Sequence, residues 1–263
     1  MSSPEPVHIF HVYRNDGSPL FLHPFGGKRR IVDILEGRDV DGLYGKEPRV
    51  EALTMFRNEL YRIIERDVKE WISEVRFLPR FLMASAVFVV AYFFLALVVR
   101  DPLPIVDEIA VALGGAIATY FLVGRRDVRS GTAAKRRISL RTKVDNIVFH
   151  ESELAEDFET LLAKTEEADA DELLFSLSDP TDSEGLAGYY GQDNDALKQL
   201  IGYLDTFFSG KDYRRQERRL LRAGMPIDDK ERSAIKRWIS TKGVDLPLFA
   251  VYVSIKRQVA KTG

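Results

Sequence analysis

The chain has 263 residues, 45% hydrophobic and 30% charged, and no cysteine, which excludes disulfides, thiolate metal sites and cysteine nucleophiles. Its net charge of −2 averages over segregated segments. Residues 1–80 hold 13 basic and 13 acidic side chains, 124–143 hold 8 against 1, 144–196 hold Lys164 alone against 16, and 197–263 hold 15 against 7.

The first residues, Met1 to Pro6, carry neither a basic start nor an apolar run, so no secretory signal is visible and insertion is expected to use internal spans. Val7–Tyr13 and Leu20–His23 are β-prone runs around Asp16-Gly17, a hairpin signal. Residues 1–47 read as a small β-containing domain that needs another surface to pack on. His8 and His11 are three apart on a strand, so they point to opposite faces and do not chelate one ion. His23 and His150 have no neighbouring His or Cys, and no metal site is expected. Gly26-Gly27-Lys28-Arg29-Arg30 lacks the spacing of a phosphate loop, and Asp39, Asp41 and Gly42 lack that of a calcium loop.

Residues 48–80 predict one amphipathic juxtamembrane helix, with Leu53, Phe56, Leu60, Ile64, Val68, Trp71, Val75 and Leu78 as its stripe and Pro79 as a kink or break. Residues 81–123 read as a transmembrane hairpin. Phe81–Val99 is an uncharged run of 19 residues, about 29 Å as a helix, which matches a hydrocarbon core. Its 12 Leu, Phe and Val residues contribute about −4 to −7 kcal/mol to insertion, against about −2 to −4 for the 7 in Ile109–Val123. The weaker second span is expected to need the first. Ala110, Gly114 and Ala118 recur every four residues and are the expected packing seam, with Ala112 and Ala116 as the other small-residue row.

Arg100–Pro104 turn the chain between the spans. Arg76 and Arg80 before the hairpin and Arg125, Arg126, Arg129, Lys135, Arg136 and Arg137 after it outweigh Arg100 in the turn. By the positive-inside tendency both termini lie in the cytosol of a plasma or inner membrane. The six cations after the hairpin, within a basic juxtamembrane segment at 124–143, are also candidates for lipid headgroups.

Asp107 and Glu108 open the second span, and in an oligomer they would ring a pore mouth. In topology alone this resembles two-span cation channels such as the mitochondrial calcium uniporter. The acidic pair separated by two residues and followed by proline that marks that family is absent, so no residue is carried over. The bland alternative is a pair of carboxylates favouring a helix N-terminus.

Residues 144–263 read as an acidic, then basic, mostly helical domain. Val144–His150 is a candidate strand, Pro180–Asp195 a linker, and Leu246–Ile255 too short to span and suited to a helical core. Arg214, Arg215, Arg218, Arg219 and Arg222 form a basic face for an acidic partner, for headgroups or for the chain's own acidic segment. No nucleic-acid module accompanies it.

The fold class expected is therefore a mainly α membrane protein: a two-span helical hairpin, a small β-containing N-terminal cytosolic domain and a helical C-terminal one. No catalytic constellation, cofactor or small-molecule substrate is evident. The functional expectation is a scaffold, adaptor or regulator with protein partners or self-association, not an enzyme; the alternative is a subunit of an oligomeric cation channel.

Overall fold

The computed structural model describes residues 5–26, 31–98, 105–178, 195–220 and 229–262. The expected turn at Arg100–Pro104, most of the linker (179–194), the glycine–basic run from Gly27 to Arg30, and Arg222 lie outside them. The protein is mostly helical with one small sheet, and it divides into two compact units.

The first unit contains the N-terminal strands, the segment Asp33–Arg57 and everything from Ile147 on. Its four-stranded sheet runs in the order β2-β1-β3-β4. β1 (Val7–Tyr13) and β2 (Pro19–Leu22) form the expected antiparallel hairpin, with Tyr13 opposite Pro19. Gly17 takes the left-handed conformation (φ 78°) that its turn requires, and Asp16 accepts the Ser18 N–H at 2.8 Å. β3 (Val40–Tyr44) lies parallel to β1, and β4 (Phe149–Glu151) parallel to β3. The Phe149 ring covers Gly42, where an added Cβ would stand 2.2 Å from it.

From Ile147 on, six helices among the described residues belong to this unit: α6 (Glu153–Glu167), α7 (Ala170–Ser178), α8 (Asp195–Phe207), α9 (Lys211–Leu220), α10 (Asp229–Lys242) and α11 (Leu246–Thr262). Phe10 and Val12 of β1 share one buried cluster with Phe158 of α6, Leu200 and Leu204 of α8, and Phe249 and Tyr252 of α11. Polar bonds repeat the join. Gln199 accepts the His8 N–H at 2.9 Å, Tyr203 donates to the His8 carbonyl at 2.9 Å, and Arg14 pairs with both Glu166 and Asp245.

The sequence reading separated residues 1–47 from 144–263; in the structure nearly all of both falls in one compact unit. The reason is the size of the sheet. Four short strands bury too little by themselves, and the apolar faces of α6, α8 and α11 supply the missing surface. The apolar run at Leu246 packs as expected, inside helix α11. Val144 belongs to a helix and not to the strand expected there.

The second unit is built on Asn58–Asn146. It holds the rest of α2 (Val50–Val75), then α3 (Phe77–Val98), α4 (Ile105–Val128) and α5 (Gly131–Asp145). The break near Pro79 falls at Arg76, so Pro79 sits in the first turn of α3, where its missing N–H disturbs nothing. The buried row of α2 is Phe56, Leu60, Ile64, Val68 and Ile72, and Val75 and Leu78 are exposed, unlike the expected stripe. Asp67, almost fully buried, accepts the N–H of Ile31 at 2.9 Å and so anchors the start of the short helix α1 (Ile31–Gly37). α5 is tied to α2 by charge and by ring. Glu65 forms ion pairs with Arg137 at 2.8 Å and with Arg141 at 2.9 Å, and the Arg136 guanidinium lies 3.7 Å from the centre of the Trp71 ring.

α3 and α4 are both long and apolar enough to cross a membrane. They pack on each other through Ala84, Ala112 and Ala116, with Gly115 opposite Val87. This corrects the expected seam: Ala110, Gly114 and Ala118 are exposed, and a Cβ at Gly114 would meet nothing within 4 Å. Two small-residue rows share one helix, and spacing alone does not choose between them.

Two predictions follow from these packings. At Gly45 an added Cβ would stand 2.7 Å from the backbone of Glu156, which cannot swing aside. Gly45→Ala should therefore destabilise by about 1–3 kcal/mol. At Gly37 nothing lies within 4 Å, and Gly37→Ala should be neutral or stabilising by up to about 1 kcal/mol. Thermal unfolding of the full chain in detergent compares the two. On the hairpin, Ala112→Leu should cut crosslinking between cysteines placed on α3 and α4, and Gly114→Leu should leave it unchanged.

Candidate functional site

A cavity of about 630 Å³ lies within the second unit. Helical spacing builds it. Lys69 and Ser73 are one turn apart on α2, Arg80 opens α3, and α4 contributes two rows at four-residue steps: Tyr120, Gly124 and Val128, and Phe121, Arg125 and Arg129.

Arg80 is the centre of the arrangement. It is 5% exposed, and its Nε donates to Asp127 at 2.7 Å. Its Nη2 is buried without a hydrogen-bond partner among the described residues, which costs about 1–3 kcal/mol or more for a charged group. Gly124 borders the guanidinium: a Cβ there would lie 3.4 Å from Nη1, an ordinary contact. Lys69, Arg125 and Arg129 are exposed and form no ion pair among the described residues. A cavity lined by one buried arginine and by three exposed cations that form no ion pair among the described residues suits a phosphate-bearing ligand.

The expected headgroup cations divide. Arg125 and Arg129 line this cavity, whereas Arg126 and Lys135 are exposed outside its lining. Arg136 and Arg137 are committed to Trp71 and Glu65. Lys69, Ser73, Arg80 and Tyr120 were not singled out as ligand groups from the sequence. The usable signal was the four-residue recurrence of basic and aromatic side chains at the end of the second span.

Asp107 and Glu108 occupy the first turn of α4, Asp107 exposed and Glu108 half-buried. Arg214, Arg215 and Arg218 are exposed along α9, Arg219 is half-buried, and none of the four joins an ion pair among the described residues. The acidic segment instead meets other partners: Asp171 pairs with Lys236.

Among the described residues no group of three or more His, Asp or Glu is placed to hold a metal ion. His11 is fully buried between Tyr13 and Phe21, both ring nitrogens without partners. Burial pushes its pKa down to about 4, against a smaller opposing pull from Glu159. His23, beside Phe25 and Phe56, is likewise pushed down to about 4 by burial.

No protein-family model matches the chain, and comparisons with curated proteins and with solved structures give no match. What the chain defines by itself is a mostly helical protein with a small sheet and two helices able to cross a membrane.

The two histidines set an acid limit. Their folded pKa values lie below the unfolded value of 6.5, so the unfolded chain binds more protons between pH 6.5 and 4. Stability should be complete above pH 6.5 and fall as pH drops toward 4. His11→Phe removes one titrating ring and two unpaired buried nitrogens. It should flatten that fall, measured as the unfolding midpoint against pH; an unchanged slope would show that His11 does not contribute.

Proposed function

We propose that the protein is an integral membrane scaffold or adaptor, anchored by a two-helix hairpin and presenting one cytosolic domain to protein partners. The pairing of β3 with β4 supports it most. Gly42 and Tyr44 are in register with Phe149 and Glu151, so those residues share one side of any membrane. The chain between them must then cross an even number of times, and two apolar helices, α3 and α4, meet that parity.

The exposed surfaces of the helices agree. Val90, Phe93 and Leu97 on α3, and Val111, Ile117 and Phe121 on α4, are each more than 45% exposed. A soluble protein rarely leaves so much contiguous apolar area in water. The exposed cations Arg125, Arg126 and Arg129 at the end of α4 favour the cytosolic leaflet for that end. The free cations of α9 then offer an acidic protein a docking face on the cytosolic domain.

Because the chain lacks cysteine, a single Pro102→Cys variant carries a unique thiol. In intact cells it should label with an impermeant maleimide, while sequences on both flanks of the hairpin stay protected from external protease. Cleavage of either flank from outside would reverse the orientation. Mass measured in detergent should show a monomer or dimer. A closed ring of four or more, with a cation conductance lost in the Asp107→Asn, Glu108→Gln double variant, would replace the adaptor with a pore.

A further inference from the structure

We propose that the cavity around Arg80 binds the headgroup of an anionic phospholipid carrying at least two negative charges. This rests on the membrane reading above. Three observations within the second unit converge on that ligand.

The first is the buried donor. Arg80 is 95% enclosed, is fixed through Nε to Asp127 and lines the cavity, and its buried Nη2 finds no partner among the described residues. A positioned guanidinium with an unused donor is built for an oxygen anion, and phosphate oxygens accept in the geometry that arginine offers.

The second is charge. Asp127 offsets Arg80, and Lys69, Arg125 and Arg129 remain, so the lining has an uncompensated charge of about +3. A single phosphodiester would leave most of it unbalanced. Two phosphates would not, and Ser73 adds a neutral donor at the same rim.

The third is the gradient along the wall. From Arg129 to Tyr120 the α4 face descends about 13 Å, passing from cation to Gly124 to aromatic rings. Phe121, the deeper apolar member, is exposed, as a surface meeting acyl chains would be. A freely soluble phosphate has no use for the aromatic end. A lipid uses both ends, its phosphates at the arginines and its glycerol and first methylenes against Tyr120 and Phe121.

The test uses the purified full chain. Wild-type protein is first floated with vesicles of phosphatidylcholine alone; failure to float removes the membrane reading itself, separately from the site. Native mass spectrometry then follows titration of the detergent-solubilised protein with cardiolipin, which has two phosphates, and with phosphatidylcholine. Cardiolipin should bind at a defined stoichiometry and phosphatidylcholine should not compete. Arg125→Gln combined with Arg129→Gln should weaken cardiolipin about thirtyfold, from two direct hydrogen bonds to phosphate lost. Both side chains are exposed, so the variant should keep its unfolding midpoint.

Arg126→Gln is the control, for it removes the same charge from the same helix outside the lining. It should bind cardiolipin as the wild type does. Equal losses in Arg126→Gln and Arg125→Gln would reduce the site to a diffuse electrostatic film and overturn the proposal. Displacement of cardiolipin by inorganic phosphate at matched concentration would make the occupant a soluble anion and overturn it as well.

Discussion

Strands β3 and β4 are parallel neighbours, and parallel neighbours cannot be joined by a tight turn. A crossover is required, and here it is the whole stretch from α2 to α5, including both helices able to cross a membrane. The sheet closes only if that long excursion ends where Phe149 can lie over Gly42. Loop-closure entropy grows slowly with length, so an excursion of this size is tolerable when the far segment is itself well folded. The second unit therefore has to be ordered on its own account, and its packing shows the means. α5 is held to α2 by Glu65 with two arginines and by Arg136 on Trp71, and α3 to α4 by alanines.

Different forces hold the two units. In the first, Phe158, Phe208, Phe249 and Tyr252 are buried beside Phe10, and removal of their area from water dominates. The hydroxyl of Tyr252 is bonded to Asp205 at 2.6 Å and Glu217 at 2.9 Å, and Lys256 pairs with both carboxylates. Burial and those carboxylates push the tyrosine pKa upward, so it stays a donor across the ordinary pH range. In the hairpin, most of α3 faces outward, and what joins the helices is close approach at small residues plus the Arg80–Asp127 pair at one end. A hydrophobic core loses stability with each methylene removed, whereas a small-residue seam loses it with each methylene added.

Much of this was legible in the sequence where one local signal sufficed. The uncharged run from Phe81, the Asp16-Gly17 turn and the ten-residue apolar stretch at Leu246 each specify their own element. What was not legible depends on distant partners. The strand expected at Val144–His150 narrows to Phe149–Glu151, and its place beside β3 depends on Gly42, which leaves space for the Phe149 ring. The union of N-terminal strands with C-terminal helices rests on contacts such as His8 with Gln199, 191 residues apart. Likewise, two small-residue rows on α4 have equal spacing, and only the position of α3 selects Ala112 and Ala116. Arg80 was visible as a topogenic charge, but its burial and its bond to Asp127 depend on another helix.

The basic segment after the hairpin shows why a count of charges misjudges a membrane-facing surface. A free cation near an anionic leaflet contributes about 1 kcal/mol of attraction. That figure does not apply to a guanidinium already bound in the fold. Arg137 and Arg141 are held by Glu65, and Arg136 is stacked on Trp71. Their work is to fix α5 on α2, and a lipid could recruit them only by breaking that packing. Arg125, Arg126 and Arg129 are exposed, and only the first and last of these border the cavity. One mostly basic stretch thus separates into structural cations, exposed cations off the cavity and two that line it. The division is made by helical phase: four residues from Phe121 to Arg125 and four more to Arg129 keep those side chains on the cavity wall, and the intervening Arg126 is turned away by about 100°.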